Sequence, residues 1–101
     1  MHLHTVKLLR IVSQASLQDE IVRILERAGI HGYTILRAGG AGAHGVRTGE
    51  TAETSNVVIE AVASEGKALD ALSAVHQELF GPHAVIAYLL DAEVLRREKF
   101  L

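Results

Sequence analysis

Both alternating faces of this chain's strands are apolar, and only two helices are available to cover them. Val6, Leu8 and Val12 of the first β-branched run point one way, while Leu9 and Ile11 point the other. Val57 and Ile59 oppose Val58 and Val62 in the same manner, and Val85 and Leu89 oppose Ile86 and Leu90. Two helices can pack on one face of a four-stranded sheet, so a single copy would leave the other face wet. This pattern predicts an oligomer of identical chains that buries the second face.

The order of elements follows from local signals. The first strand is predicted over 6–12. Ser16-Leu17-Gln18-Asp19 matches a capping box, and Leu17, Ile21, Ile24, Leu25 and Ala28 form one stripe, giving a helix over 16–28 closed by Gly29. Strands are predicted over 32–37, 55–62 and 83–90. A second helix starts at Ser64, carries a stripe of Leu69, Leu72, His76 and Leu79, and ends near Gly81-Pro82. Asp91 to Arg96 suggests a short helical turn. The result is an α+β, ferredoxin-like β-α-β-β-α-β sandwich in one domain spanning residues 1–101.

Composition removes several functions. The net charge of −2 supplies no field for a nucleic-acid backbone. The chain has no cysteine, hence no thiolate nucleophile or thiolate-bound metal. Its longest apolar run, Ala84 to Leu90, is far below the roughly 18 residues that span a bilayer. A soluble, cytoplasmic protein with no membrane insertion is expected.

The segment 39–54 holds five of the nine glycines and one large apolar residue, Val46. Loops this long are usually functional or mobile. Gly40-Ala41-Gly42-Ala43-His44-Gly45 spells G-x-G-x-x-G, but no helical stripe follows it, which rejects a dinucleotide fingerprint. Two readings stay open: an anion-binding nest of backbone N–H groups assisted by Arg47, or a plain flexible hairpin. Glu60, inside a valine- and isoleucine-rich strand, fits a ligand cleft better than an exposed edge. Arg96, Arg97 and Lys99 form a basic end, which either reaches an anion or is simply solvated. His2 and His4 share a strand face, but sequence supplies no third metal ligand. His76 reads as a core residue, and no serine has a nucleophile-elbow context. Neither catalysis nor a resident metal is expected.

Gly32-Tyr33-Thr34 leading into the glycine-rich run 39–47, Ser55 to Glu60 returning from it, Ala84 to Tyr88, and Glu93 to Phe100 together resemble PII-like signalling proteins. Within that group they are similar to the branch of carboxysome-associated PII proteins and SbtB partners of a bicarbonate transporter. The resemblance covers residues 6 to 100. It implies a trimer with a long flexible T-loop, about residues 39–54, between the second and third strands, and adenine-nucleotide sites in clefts between subunits. Carried across, it implies that Gly40, Gly42, His44, Gly45 and Arg47 meet phosphate or ribose and that Asn56 and Glu60 line the cleft. Ala84 and Val85 would offer backbone, and Arg96 or Arg97 would reach over from an adjacent subunit. ADP or AMP is the implied ligand, with bicarbonate beside it and no other cofactor. The implied role is regulation of inorganic-carbon uptake or fixation, through a transporter or carboxysome-related partner. His44 stands where SbtB-type loops often carry arginine, so an anion contact there would depend on its protonation. A CutA-like trimeric metal-binding protein is the alternative with the same architecture.

Overall fold

In the computed structural model, residues 1–42, 45–47 and 55–96 are described, with side chains for 1–40 and 55–96. Strand β1 (His4–Gln14) lies between β5 (Asn56–Ala63) and β6 (Ile86–Val94), and β2 (Thr34–Ala38) flanks β5. The sheet order β2-β5-β1-β6 is antiparallel throughout. Helices α1 (Gln18–Arg27) and α2 (Glu65–Leu79) cover one face. This is the expected ferredoxin-like fold. Two short strands, β3 (Gly40–Gly42) and β4 (Gly45–Arg47), pair separately as a hairpin within the glycine-rich segment.

The core lies between the helices and the odd-numbered residues of β1 and β5. Leu9, Ile11, Val57, Ile59 and Ala61 meet Leu17, Ile21, Ile24 and Leu25 from the α1 side and Ala71, Val75 and Leu79 from α2. Each large aliphatic residue fully buried here contributes about 1.5–3 kcal/mol. At the end of α1, Gly29 takes φ +83°, its N–H bonds to Glu26 O, and the Ile30 N–H bonds to Leu25 O. These two bonds make a Schellman closure, with Ile30 and Leu25 both in the core.

Several expectations need correction. Asp91 to Val94 is not helical; it continues β6, pairing with Lys7 back to His4. Its residues favour a helix locally, but β1 extends to His4 and offers a ladder, and Lys7 bonds the Asp91 carboxylate. The predicted capping box is absent. Ala15–Leu17 form one 3-10 turn, the first α-helical residue is Gln18, and the Ser16 hydroxyl accepts from Gln14 Nε2. Ser64 does stand at the N-cap of α2, without a side-chain capping bond. The buried stripe of α2 is Ala68, Ala71, Val75 and Leu79; of the predicted stripe, Leu79 is buried and Leu72 packs partly against the core, whereas Leu69 and His76 face outward. Leu69 is 47% exposed, and His76 is an exposed ring packed edge-on against Phe80 at 5.4 Å. Small Ala68 and Ala71 occupy half of the buried stripe, so large residues alone do not mark this face.

The second sheet face carries no helix. Three cross-strand rows define it: Leu36–Val58–Val12–Ile86, Thr34–Glu60–Arg10–Tyr88, and Val62–Leu8–Leu90. Leu36, Ile86 and Leu90 are 52%, 61% and 49% exposed. The two-sided apolar sheet inferred from the strand pattern is present, with one polar row across its middle.

Candidate functional site

A cleft forms where β2 stops. The β2–β5 register ends at Thr34 opposite Glu60, so Ala61–Ala63 of β5 run on past the end of β2. The chain leaving the Gly29 closure bends around this gap through His31, Gly32 and Tyr33, and Lys67 from the first turn of α2 closes the far side. The cleft measures ≈ 390 Å³, within the usual size of small-ligand sites. Leu8 and Val62 supply apolar wall, Tyr33 a half-exposed ring, Glu60 an acceptor and Lys67 a cation. Backbone from Ala61 to Ala63 adds donors and acceptors along an uncovered strand edge. A β-carbon at Gly32 would meet nothing within 4 Å, so this side of the cleft stands open. The set suits a molecule with an apolar ring, hydrogen-bond donors and negative charge.

Glu60 is held from the sheet side. Its Oε1 accepts from Arg10 Nε at 2.6 Å, and Arg10 Nη1 donates to the Tyr88 hydroxyl at 3.0 Å. The guanidinium carbon lies 5.6 Å from the Tyr88 ring centroid. The bonds to Tyr88 and to Glu60 push the Arg10 guanidinium further above its already high value, so it is a permanent cation here. Three residues earlier on β1, the hydrogen bond to Asp91 raises the Lys7 ammonium above its ordinary 10.5.

Among the described residues that the sequence offered as ligand contacts, Glu60 lines this cleft and the others do not. A second group gathers at the opposite end of β5. Asn56 pairs with Ala38 at the exit of β2, and a β-carbon at Gly40 would stand 3.6 Å from Asn56 Nδ2. Gly40 pairs with Arg47, and Gly42 with Gly45, in the β3–β4 hairpin. Ala84 and Val85 precede β6 at this same end, because Ile86 pairs with Val12 and Gln14 with Asn56. Val85 is buried, so only its backbone is on offer. Arg96 follows the other end of β6, where Val94 pairs with His4. Ten strand residues of about 3.3 Å each separate His4 from Gln14, so Arg96 and Asn56 of one chain stand about 30 Å apart. His44 and Arg97 lie outside the described residues, as does the Arg47 side chain. His2 and His4 stack with centroids 4.7 Å apart, and no third His, Asp or Glu completes a metal-binding group among the described residues.

Sequence reasoning missed Tyr33, Thr34 and Lys67 as site residues. The signal available was positional: Gly32-Tyr33-Thr34 is the junction between the Gly29 closure and an edge strand shorter than its neighbour.

Residues 6–99 match the family model described as nitrogen regulatory protein P-II. The chain belongs to the PII family. It is similar over its whole length to a PII-like signalling protein from Thermus thermophilus, with 38% identity, complete coverage of both chains and a TM-score of 0.87. It also resembles CPII, a nitrogen regulatory PII-like protein from Thiomonas intermedia solved with ADP, AMP and bicarbonate. There the identity is 28%, the coverage 98% and 96%, and the TM-score 0.88. CPII bound to ADP and bicarbonate alone gives 29% identity, 99% and 98% coverage and a TM-score of 0.89. PII proteins are signalling regulators rather than enzymes. The metal-binding CutA-like alternative is not favoured by these matches.

Proposed function

We propose that this PII protein is a trimeric sensor of ADP or AMP, with bicarbonate as a second ligand, that regulates inorganic-carbon uptake or fixation. The observation that carries the reading is the cleft at the end of β2, which opens beside the bare apolar sheet face. A copy packed on that face would wall the cleft, and CPII, with nearly the same fold, binds ADP, AMP and bicarbonate. Glu60 and Asn56 lie four residues apart on β5, about 13 Å, which is the scale of an extended nucleotide. On this reading the adenosine end occupies the cleft at Tyr33, Glu60 and Val62. The phosphates lie toward Asn56 and the Gly40–Arg47 hairpin, where glycines let backbone N–H groups approach an anion.

Arg96, about 30 Å from Asn56 within one chain, or Arg97, next to it in sequence, reaches the site from a neighbouring copy. Ala84 and Val85, at the Asn56 end of the same chain, offer backbone to the nucleotide. His44 adds a cation only when protonated, which makes phosphate affinity rise toward acid pH. Ligand-dependent order in the T-loop, residues 39–54, then alters its grip on a transporter or carboxysome-related partner in the cytoplasm.

Calorimetric titration with AMP, ADP, ATP and cyclic AMP, each with and without bicarbonate, tests the reading. Micromolar ADP or AMP binding near one per chain that shifts with bicarbonate is the expected result. Binding indifferent to bicarbonate removes the carbon link, and absence of nucleotide binding removes the sensor.

A further inference from the structure

Glu60 belongs to two places at once. It lines the cleft, and it stands in the polar row that crosses the bare sheet face. Arg10 holds its carboxylate, and Tyr88 holds Arg10, yet neither of these two lines the cleft. The rows on either side are aliphatic, so this guanidinium is planted in an otherwise apolar surface. The Arg10 and Glu60 side chains keep only 31% and 29% exposure before any second copy covers them. A buried ion pair is tolerable only with its geometry and hydrogen bonds intact.

We propose that Arg10, anchored by Tyr88, is a positioning residue for the nucleotide cleft, coupling ligand binding to the packing of a second copy through the Glu60–Arg10 pair. The inference rests on the nucleotide reading above and names the regulation of that site. A carboxylate serves a nucleotide as an acceptor, for ribose hydroxyls or the base amine, and repels its phosphates. Arg10 offsets that repulsion and fixes one Glu60 oxygen on the sheet side. A copy seated on the bare face buries this same pair, so the two events share one set of contacts. By linkage, a ligand that binds better with the pair intact stabilises the assembly that buries it, and the converse holds equally. Arginine suits the position because its planar fork serves two partners at once, Glu60 from Nε and Tyr88 from Nη1.

The test combines ADP titration with sedimentation velocity, each with and without ADP. It compares the unaltered chain with Tyr88→Phe, Arg10→Lys, Arg10→Met, Glu60→Gln and the Arg10→Met/Glu60→Gln double variant. Tyr88→Phe removes one hydroxyl outside the cleft, so it decides the matter even where Arg10→Met fails to fold. The expected results are ADP binding weakened about threefold by Tyr88→Phe and about tenfold by Arg10→Met, with partial recovery in Arg10→Lys. The double variant should bind no more weakly than Glu60→Gln, the mark of groups acting as one unit. ADP should tighten assembly of the unaltered chain and do so less in Tyr88→Phe. ADP affinity unchanged in Tyr88→Phe and Arg10→Lys, beside normal binding by the unaltered chain, overturns this inference alone. Absence of ADP binding by the unaltered chain overturns the nucleotide reading and this inference with it.

Discussion

Replacing Gly29 by alanine probes the closure that shapes both the fold and the cleft. Gly29 sits at φ +83°, and an L-residue in left-handed conformation loses about 1–2 kcal/mol. The added methyl would stand 3.3 Å from Lys67 Cε and 3.6 Å from its Cδ and Nζ. That contact is tight, but it asks the end of a long side chain to shift by only a few tenths of an ångström, so sterics add little. Alanine also restricts the unfolded chain, which offsets about 0.4–1 kcal/mol. The net expectation is destabilisation by about 1 kcal/mol, or a melting shift of about 4–8 °C for a domain of this size. Urea unfolding at one fixed protein concentration measures it, since assembly makes stability depend on concentration. The midpoint should fall with the slope unchanged. Gly29→Asn should cost less, because asparagine visits this region more readily. Because Lys67 lines the cleft, its displacement should also alter nucleotide affinity in Gly29→Ala. A stability loss below about 0.3 kcal/mol would refute the claim that backbone conformation governs this closure.

Val75→Ala should cost about 1.5–3 kcal/mol and Leu69→Ala less than about 0.5, separating the buried face of α2 from its exposed one in thermal melts. Ile86→Glu places a charge on the bare apolar face, and sedimentation should show smaller species than the unaltered chain; an undisturbed assembly would mean this face is not the contact. Arg47→Ala should weaken ADP binding by about 1.5–3 kcal/mol by calorimetry, and an unchanged affinity would remove Arg47 from the site. The Lys7 ammonium is raised by its bond to Asp91, so the folded state holds that proton more tightly than the unfolded chain. Its stabilising contribution is present below 10.5 and disappears as pH climbs through the raised value. Lys7→Met should therefore flatten the alkaline end of the stability profile, by a small amount because Asp91 is 71% exposed.

Strand faces were legible because valine, isoleucine and leucine occupy both alternations; Leu9 against Leu8 and Val57 against Val58 already imply a sheet with two apolar sides. The face of α2 was only half legible, because Leu79 marked it while Ala68 and Ala71, buried beside Val75, weigh little in any hydrophobic pattern. The last four residues of β6 read as helix until pairing with His4–Lys7 is known, since only a distant ladder makes Asp91 and Glu93 strand residues. The β3–β4 hairpin left no alternation to find, for its strands are largely glycine and alanine. Glu60 stood out as a charge within an apolar strand. Tyr33, Thr34 and Lys67 did not, because they come from a loop, a strand start and a helix start that converge only in the fold.

The place where β2 ends decides what kind of site this protein can have. Had β2 matched β5 residue for residue, Ala61 to Ala63 would be paired on that side and the cleft closed. Its early stop leaves a pocket with a floor, a ring and an acceptor, but with one side open and beside a face that water should not wet. Apart from Lys67, the described cations that could balance a nucleotide's phosphates stand away from the cleft. Arg10 is committed to Glu60 and Tyr88, and Arg96 stands a sheet's length from Asn56. On the proposed reading, one chain brings half of a phosphate site to its hairpin end and the other half to the far end of β6. Copies packed through the bare face could supply each other's missing half, and the same contact would bury the apolar rows. On that reading assembly and ligand binding are one problem with a common solution, and a variant such as Ile86→Glu that prevents assembly should lose nucleotide binding although Ile86 lies outside the cleft. Full affinity in a monomeric Ile86→Glu chain would show instead that a single cleft suffices.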